Sequence, residues 1–140
     1  MICAEGIFLH QTGGCGYVAK VKLEIDQDAD QPYISFRCTG TGWHGQGSIE
    51  EVPEEGYEDW KLGAYEGIKY ALDRCDCPQY GVVVRRITGV MTDTNPILVG
   101  LAAADAVWIA LGFKPPRLEA EWHKHLGLSS WKCPEREARY

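Results

Sequence analysis

Tyr80-Gly81-Val82-Val83-Val84-Arg85-Arg86-Ile87, a glycine at 89, and then Thr92-Asp93-Thr94-Asn95-Pro96 set the architecture of this chain. The first part is β-branched and predicts a strand, with Val82, Val84 and Arg86 on one face. Gly89 begins a turn. Asn95 carries a side-chain oxygen that can accept from an orphan N–H of a helix's first turn. Pro96 suits the first helical position, where its missing N–H would be unpaired anyway. The helix so begun runs to about Leu111 and stops at Gly112, a residue free to adopt the left-handed conformation that closes helices. Ile97, Leu101, Ala104, Trp108 and Leu111 form its apolar stripe. Gly100, Ala102, Ala103 and Ala106 are small and permit close packing on a sheet or on another helix.

Upstream, Tyr17 to Asp26 alternates. Val21, Leu23 and Ile25 point one way; Lys20, Lys22, Glu24 and Asp26 point the other, the pattern of a half-buried strand. Gln27-Asp28-Ala29-Asp30-Gln31-Pro32 is a polar turn, and Tyr33-Ile34-Ser35-Phe36-Arg37-Cys38 reads as a returning strand. These two strands are expected to form an antiparallel hairpin. Glycines at 40, 42, 45 and 47 surround Trp43 and His44 and disfavour helix, each costing about 1 kcal/mol against alanine. A loop or irregular strand is expected there. From Tyr57 to about Arg74 the period becomes helical, with Trp60, Ala64, Ile68, Ala71 and Leu72 inward. Glu54, Glu55, Glu58 and Asp59 lie near its start, where the helix dipole favours negative charge. Cys75-Asp76-Cys77-Pro78 ends it.

The order is β-β-irregular-α-β-α. It predicts an α+β fold: a two-layer sandwich with a mostly antiparallel sheet and two helices on one face. Residues 1–113 make the domain. Residues 114–140 make a C-terminal extension that opens with Pro115-Pro116, with a short helix over Leu118–Leu126 and a loosely held end.

Over residues 13–112 this order resembles domain IV of translation elongation factor G, a ribosomal protein S5 domain 2-like fold. Gly14-Cys15-Gly16-Tyr17-Val18 and the alternating strand are similar to that domain's opening strand, and Tyr33-Ile34-Ser35-Phe36 to its second. Ala64-Tyr65-Glu66-Gly67-Ile68 falls where the family places its first helix. Val82-Val83-Val84, Gly89 and Thr92-Asp93-Thr94-Asn95 match the third strand, the tip turn and the start of the last helix. Ala102-Ala103-Ala104 with Ala106-Val107 matches that helix's small-residue register. The resemblance implies a stand-alone domain that binds the ribosome or structured RNA. The translocase's tip reaches the decoding region with polar or basic residues, a histidine among them. Here the tip is Gly89-Val90-Met91-Thr92, which is poorly suited to RNA phosphates, so translocase activity is not implied. No Gly-x-x-x-x-Gly-Lys-Ser/Thr loop is present, and GTP binding of that kind is excluded.

Charge and composition narrow the function further. Residues 1–113 carry 8 basic and 16 acidic side chains, a net of −8; residues 114–140 carry 6 and 4, a net of +2. An acidic body repels phosphate backbones at long range, so RNA binding needs a local basic patch. Arg85 and Arg86 on one strand with Lys20 and Lys22 on a neighbour form such a stripe if the strands share the outer sheet face; the alternative is a solvated face paired with Glu24 and Asp26. Glu50, Glu51, Glu54, Glu55, Glu58 and Asp59 contain no interspersed base. They are a solvated loop and helix start, or a docking surface for a basic protein partner in an inhibitor- or immunity-like module.

No run of 18 apolar residues exists, and Met1-Ile2-Cys3-Ala4-Glu5-Gly6 lacks a secretory pattern. A cytoplasmic protein with reduced thiols at Cys3, Cys15, Cys38, Cys75, Cys77 and Cys133 is expected. Gly40-Thr41-Gly42-Trp43-His44-Gly45 matches G-x-G-x-x-G, yet a dinucleotide site needs a helix starting there and the helix starts about twelve residues later. Cys75-x-Cys77 is tight for chelation and needs Cys133, His123 or His125 from the extension to complete a ligand set. His123 and His125 diverge on a helix. Cys15 between two glycines is a small strand residue or an exposed nucleophile, and Ser48, Ser129 and Ser130 have no nucleophile elbow. The expectation is no catalysis, no metal and no cofactor.

Overall fold

The computed structural model describes residues 1–12, 15–45, 48–90 and 93–113. They form β1 (Ile2–Thr12), β2 (Cys15–Asp26), β3 (Tyr33–Phe36), β4 (Ile49–Glu51), α1 (Glu58–Arg74), β5 (Gly81–Val90) and α2 (Pro96–Leu111). One sheet has the order β1-β2-β5-β3, with β4 also on β5. β1 and β2, β2 and β5, and β4 and β5 pair antiparallel; β3 and β5 pair parallel. The α+β two-layer sandwich with a mostly antiparallel sheet is the fold of this chain.

Three local expectations are corrected. The sheet does not open near Gly14: an eleven-residue strand, β1, precedes it and pairs with β2 along its whole length. The hairpin between the two early strands does not exist, because β5 lies between β2 and β3. Gly81-Val82-Val83-Val84 is buried throughout, as suits a central strand flanked by β2 and β3, whereas β2 alternates. The crossover through α1 brings β5 back parallel to β3, which a short turn cannot do. Finally, Gly89 is not a turn residue. β5 continues to Val90, whose N–H donates to Thr94 Oγ1 (2.8 Å) while that hydroxyl donates to the Val18 carbonyl (2.6 Å).

The inner face of β2, Val21, Leu23 and Ile25, is fully buried beneath the helices. α2 is capped as its sequence predicts. Asn95 Oδ1 accepts from Leu98 N–H (3.0 Å), and Gly112 takes φ 68°. Its burial extends well beyond the expected stripe, to Leu98, Val99, Ala103 and Val107, because α1 covers one side and the sheet the other. The helices meet backbone to backbone: a Cβ at Gly67 would stand 2.1 Å from the Gly100 carbonyl oxygen, and one at Gly63 would stand 2.2 Å from that of Pro96. Trp108 Nε1 donates to the Ala71 carbonyl (3.0 Å), locking the far end of the seam. Among the described residues, no helix is long and apolar enough to cross a membrane.

Candidate nucleic-acid interface on the outer sheet face

With both helices on one face, the other carries the solvent-facing half of each strand. On β2 these are Lys20, Lys22, Glu24 and Asp26. The β2–β5 register sets Lys20 opposite Thr88 and Lys22 opposite Arg86, then slips, so that Leu23 faces Val84 and Arg85 has no residue opposite it. Arg85 is the extra residue of a β-bulge. The bulge resets the alternation: Val84 and Ile87 are both buried, and Arg85 and Arg86 are both exposed. Val84 and Arg86 therefore do not share a face, contrary to the period-two reading. The same bulge turns two consecutive arginines outward, which a regular strand cannot do.

The opposite edge of β5 is shared. β3 accompanies it as far as Val84, and β4 from Thr88 onward. Arg37 N–H to the Val84 carbonyl (2.8 Å) and Val52 N–H to the Ile87 carbonyl (2.9 Å) close the two ends of the gap. Over this stretch the outer face forms a hollow of about 410 Å³, lined chiefly by Lys22, Glu24, Arg37, Glu51, Arg85 and Arg86. Arg85 is held by Glu24, with Nε and Nη2 at 3.0 and 2.9 Å from the same carboxylate oxygen. Arg86 Nε lies 3.9 Å from Glu51, both side chains being about half exposed. Such exposed pairs contribute about 0–1 kcal/mol each. Among the described residues, Lys20, Lys22 and Arg37 form no ion pair. Asp26, at the end of the face, accepts from the Tyr33 hydroxyl (2.8 Å), which pushes the phenol's pKa up, the hydrogen bond first and burial second. Lys20, Lys22, Arg85 and Arg86 thus share the outer face, while Arg85 is paired with Glu24 as the solvated-face alternative has it. Arg37 joins them unforeseen, because the sequence carried no sign that β3 leaves β5 there.

The acidic run is divided. β4 exposes Ile49 and Glu51 and buries Glu50, which is 1% exposed. The Tyr57 hydroxyl donates to the Glu50 carboxylate, and burial, then this bond, pushes the Tyr57 pKa up to about 12. Glu50 is therefore a structural carboxylate and is removed from the expected docking surface. Glu51 belongs to the rim of the basic hollow. Glu54, Glu55, Glu58 and Asp59 remain exposed around the start of α1.

The other sequence signals fall into place locally. Among the described residues of the glycine segment no helix starts; Gly42 instead bridges to Glu51. Cys75 and Cys77 close α1. The Cys77 thiol donates to the Cys75 carbonyl (3.3 Å), and burial, then Cys77, pushes the Cys75 thiol up to about 11, so that thiol stays protonated at neutral pH. Among the described residues Cys3, Cys38, Cys75 and Cys77 are free thiols, and no cluster of metal-ligating side chains forms. Met91 and Thr92 of the tip, Gly47, and His123, His125, Ser129, Ser130 and Cys133 of the extension lie outside the described residues, as does the side chain of Cys15.

No protein-family model matches the chain, and no curated protein does. Among solved structures, the chain is similar to a crystal structure of a protein from Thermus thermophilus, at 22% identity and a TM-score of 0.58. The match covers 76% of this chain and 15% of the other. At that identity the similarity shows the fold.

Proposed function

We propose that this chain is a non-catalytic binding domain, similar to elongation factor G domain IV, that engages the ribosome or a structured RNA through its outer sheet face. The observation that supports it is the gathering of Lys20, Lys22, Arg85 and Arg86 on one face of an otherwise acidic body, with Arg37 joining Lys22, Arg85 and Arg86 around the hollow at the bulge. Cations on rigid strands fix orientation on a phosphate backbone, and the acidic remainder limits binding to that face. The apolar tip takes no part in this reading. Co-sedimentation with ribosomes, and anisotropy with a short RNA hairpin at low and moderate salt, test it. Binding should weaken steeply with salt and vanish when Lys20, Lys22, Arg85 and Arg86 are reversed to glutamate. Equal binding by that variant defeats the proposal.

A second reading has one observation in its favour. Trp43, 60% exposed, follows the residue that bridges to Glu51, and Glu54, Glu55, Glu58 and Asp59 are exposed just beyond β4. An acidic surface with an exposed tryptophan suits a basic protein partner. Reversal of Glu54, Glu55 and Glu58 to lysine should then abolish capture of that partner in a pull-down; unchanged capture removes the reading.

A further inference from the structure

Resting on the reading of the outer face as RNA-binding, we infer that the hollow over the β5 bulge seats one nucleotide of the RNA. Its phosphate is held by Arg37, Arg86 and Lys22, and Arg85 serves as a strut. The division of labour follows from the distances. Arg85 commits Nε and Nη2 to a single oxygen of Glu24, and Glu24 is only about a quarter exposed. That guanidinium is occupied and fixed. Arg86 and Glu51 stand 3.9 Å apart, beyond hydrogen-bond length, so the Arg86 fork keeps its donors for a ligand. Arg37 emerges where its own N–H ties β3 to Val84, which places the base of its side chain on fixed backbone. Lys22 is directly opposite Arg86 in the strand register. Three cations thus line the hollow, from β2, from β5 and from the residue that follows β3.

The carboxylates decide what kind of anion fits. Glu24 and Glu51 stand on the rim and repel a bare anion, but they accept hydrogen bonds from hydroxyl or amino donors. A nucleotide unit presents both a phosphate and such donors; inorganic phosphate or polyphosphate presents little but charge. The hollow, at about 410 Å³, is much larger than one phosphate group and leaves room for the attached sugar and base. Cys3 on β1 lines the same hollow and is exposed, so its thiol reports occupancy.

The full chain with a short RNA hairpin provides the test, read by anisotropy and by maleimide labelling of Cys3 located by mass spectrometry. Arg37→Gln and Arg86→Gln should each weaken binding about tenfold, the loss of one charge-assisted hydrogen-bonded contact. Arg85→Gln and Lys20→Gln should cost about twofold, as general electrostatic contributions do. RNA should slow Cys3 labelling in the native chain and fail to do so in the Arg37→Gln/Arg86→Gln double variant. If the RNA binds but both single variants bind like the native chain and Cys3 stays reactive, the seat is wrong while the outer-face reading stands. Protection of Cys3 by inorganic phosphate as strong as by RNA overturns the nucleotide assignment. If the intact chain binds no RNA, both proposals fall together.

Discussion

The two halves of β5 differ more from each other than β5 differs from its neighbours. Gly81–Val84 is buried, flanked by β2 and β3, with Val82 and Val84 in the core. Arg85–Val90 begins with a bulge, exchanges β3 for β4 on one edge, and exposes two arginines beside a hollow. One strand thus serves as structural axis and as presentation surface. The irregularity at Arg85 is the boundary between the two roles. A regular strand would have hidden one of the two arginines or sacrificed a core residue.

Stability should separate these roles most strongly. Ile87→Ala removes a fully buried side chain next to the bulge and should lower unfolding free energy by about 2–5 kcal/mol. Arg85→Ala, two residues away, should stay within about 1 kcal/mol, because its ion pair with Glu24 is exposed. Denaturant titration of both variants checks this. Equal losses would mean that the bulge arginine supports the core and that the division is wrong.

The adjacent acids Glu50 and Glu51 extend the same contrast across β4. Glu50→Ala deprives the Tyr57 hydroxyl of its acceptor and should cost about 1–3 kcal/mol. Glu51→Ala should leave stability within about 0.5 kcal/mol. The Tyr57 phenol also carries a pH signature. Its pKa is raised in the fold, to about 12, so the protonated form is stabilised there. Its contribution is complete below the unfolded value and is lost as pH rises through the folded one. Stability should therefore decline between about pH 10 and about pH 12, and Tyr57→Phe should flatten that decline. A pH series of urea midpoints reads it, and an unchanged slope in Tyr57→Phe would assign the decline elsewhere.

Much of the fold could be read from particular residues. Val21, Leu23 and Ile25 alternate and are buried. Asn95-Pro96 and Gly112 bound α2. Trp60, Ala64 and Ile68 face the core. What failed had physical causes. Ile2 to Thr12 has weak alternation, so β1 emerges only from its pairing with β2. Strand neighbours are fixed by the α1 crossover rather than by proximity in sequence, so the expected hairpin dissolved. A continuous Val82-Val83-Val84 run was the available sign of a central strand.

The candidate site was half legible. Lys20 and Lys22 could be placed on one face by period; Arg85 and Arg86 could not both be, because regular alternation sends them to opposite faces and only the bulge turns both outward. Arg37 could not be placed, because its position depends on where β3 parts from β5. Glu50 looked like its neighbours in composition, and only the alternation of a three-residue strand buries it. A smaller change should mark that distinction at the surface. Glu51→Gln should raise affinity for RNA about two- to threefold by removing one rim charge, read by anisotropy at low salt. The amide keeps an acceptor oxygen for the ligand, so a loss of affinity would mean that this acceptor must be charged.

The decisive experiment sets the two charged surfaces against each other. Ribosome and RNA-hairpin binding are measured for Lys22→Glu/Arg86→Glu and for Glu54→Lys/Glu55→Lys/Glu58→Lys, both with unfolding midpoints close to the native chain's. The expected result is binding lost in the first and kept or strengthened in the second. Binding kept in the first would contradict the assignment of function to the outer face at the bulge.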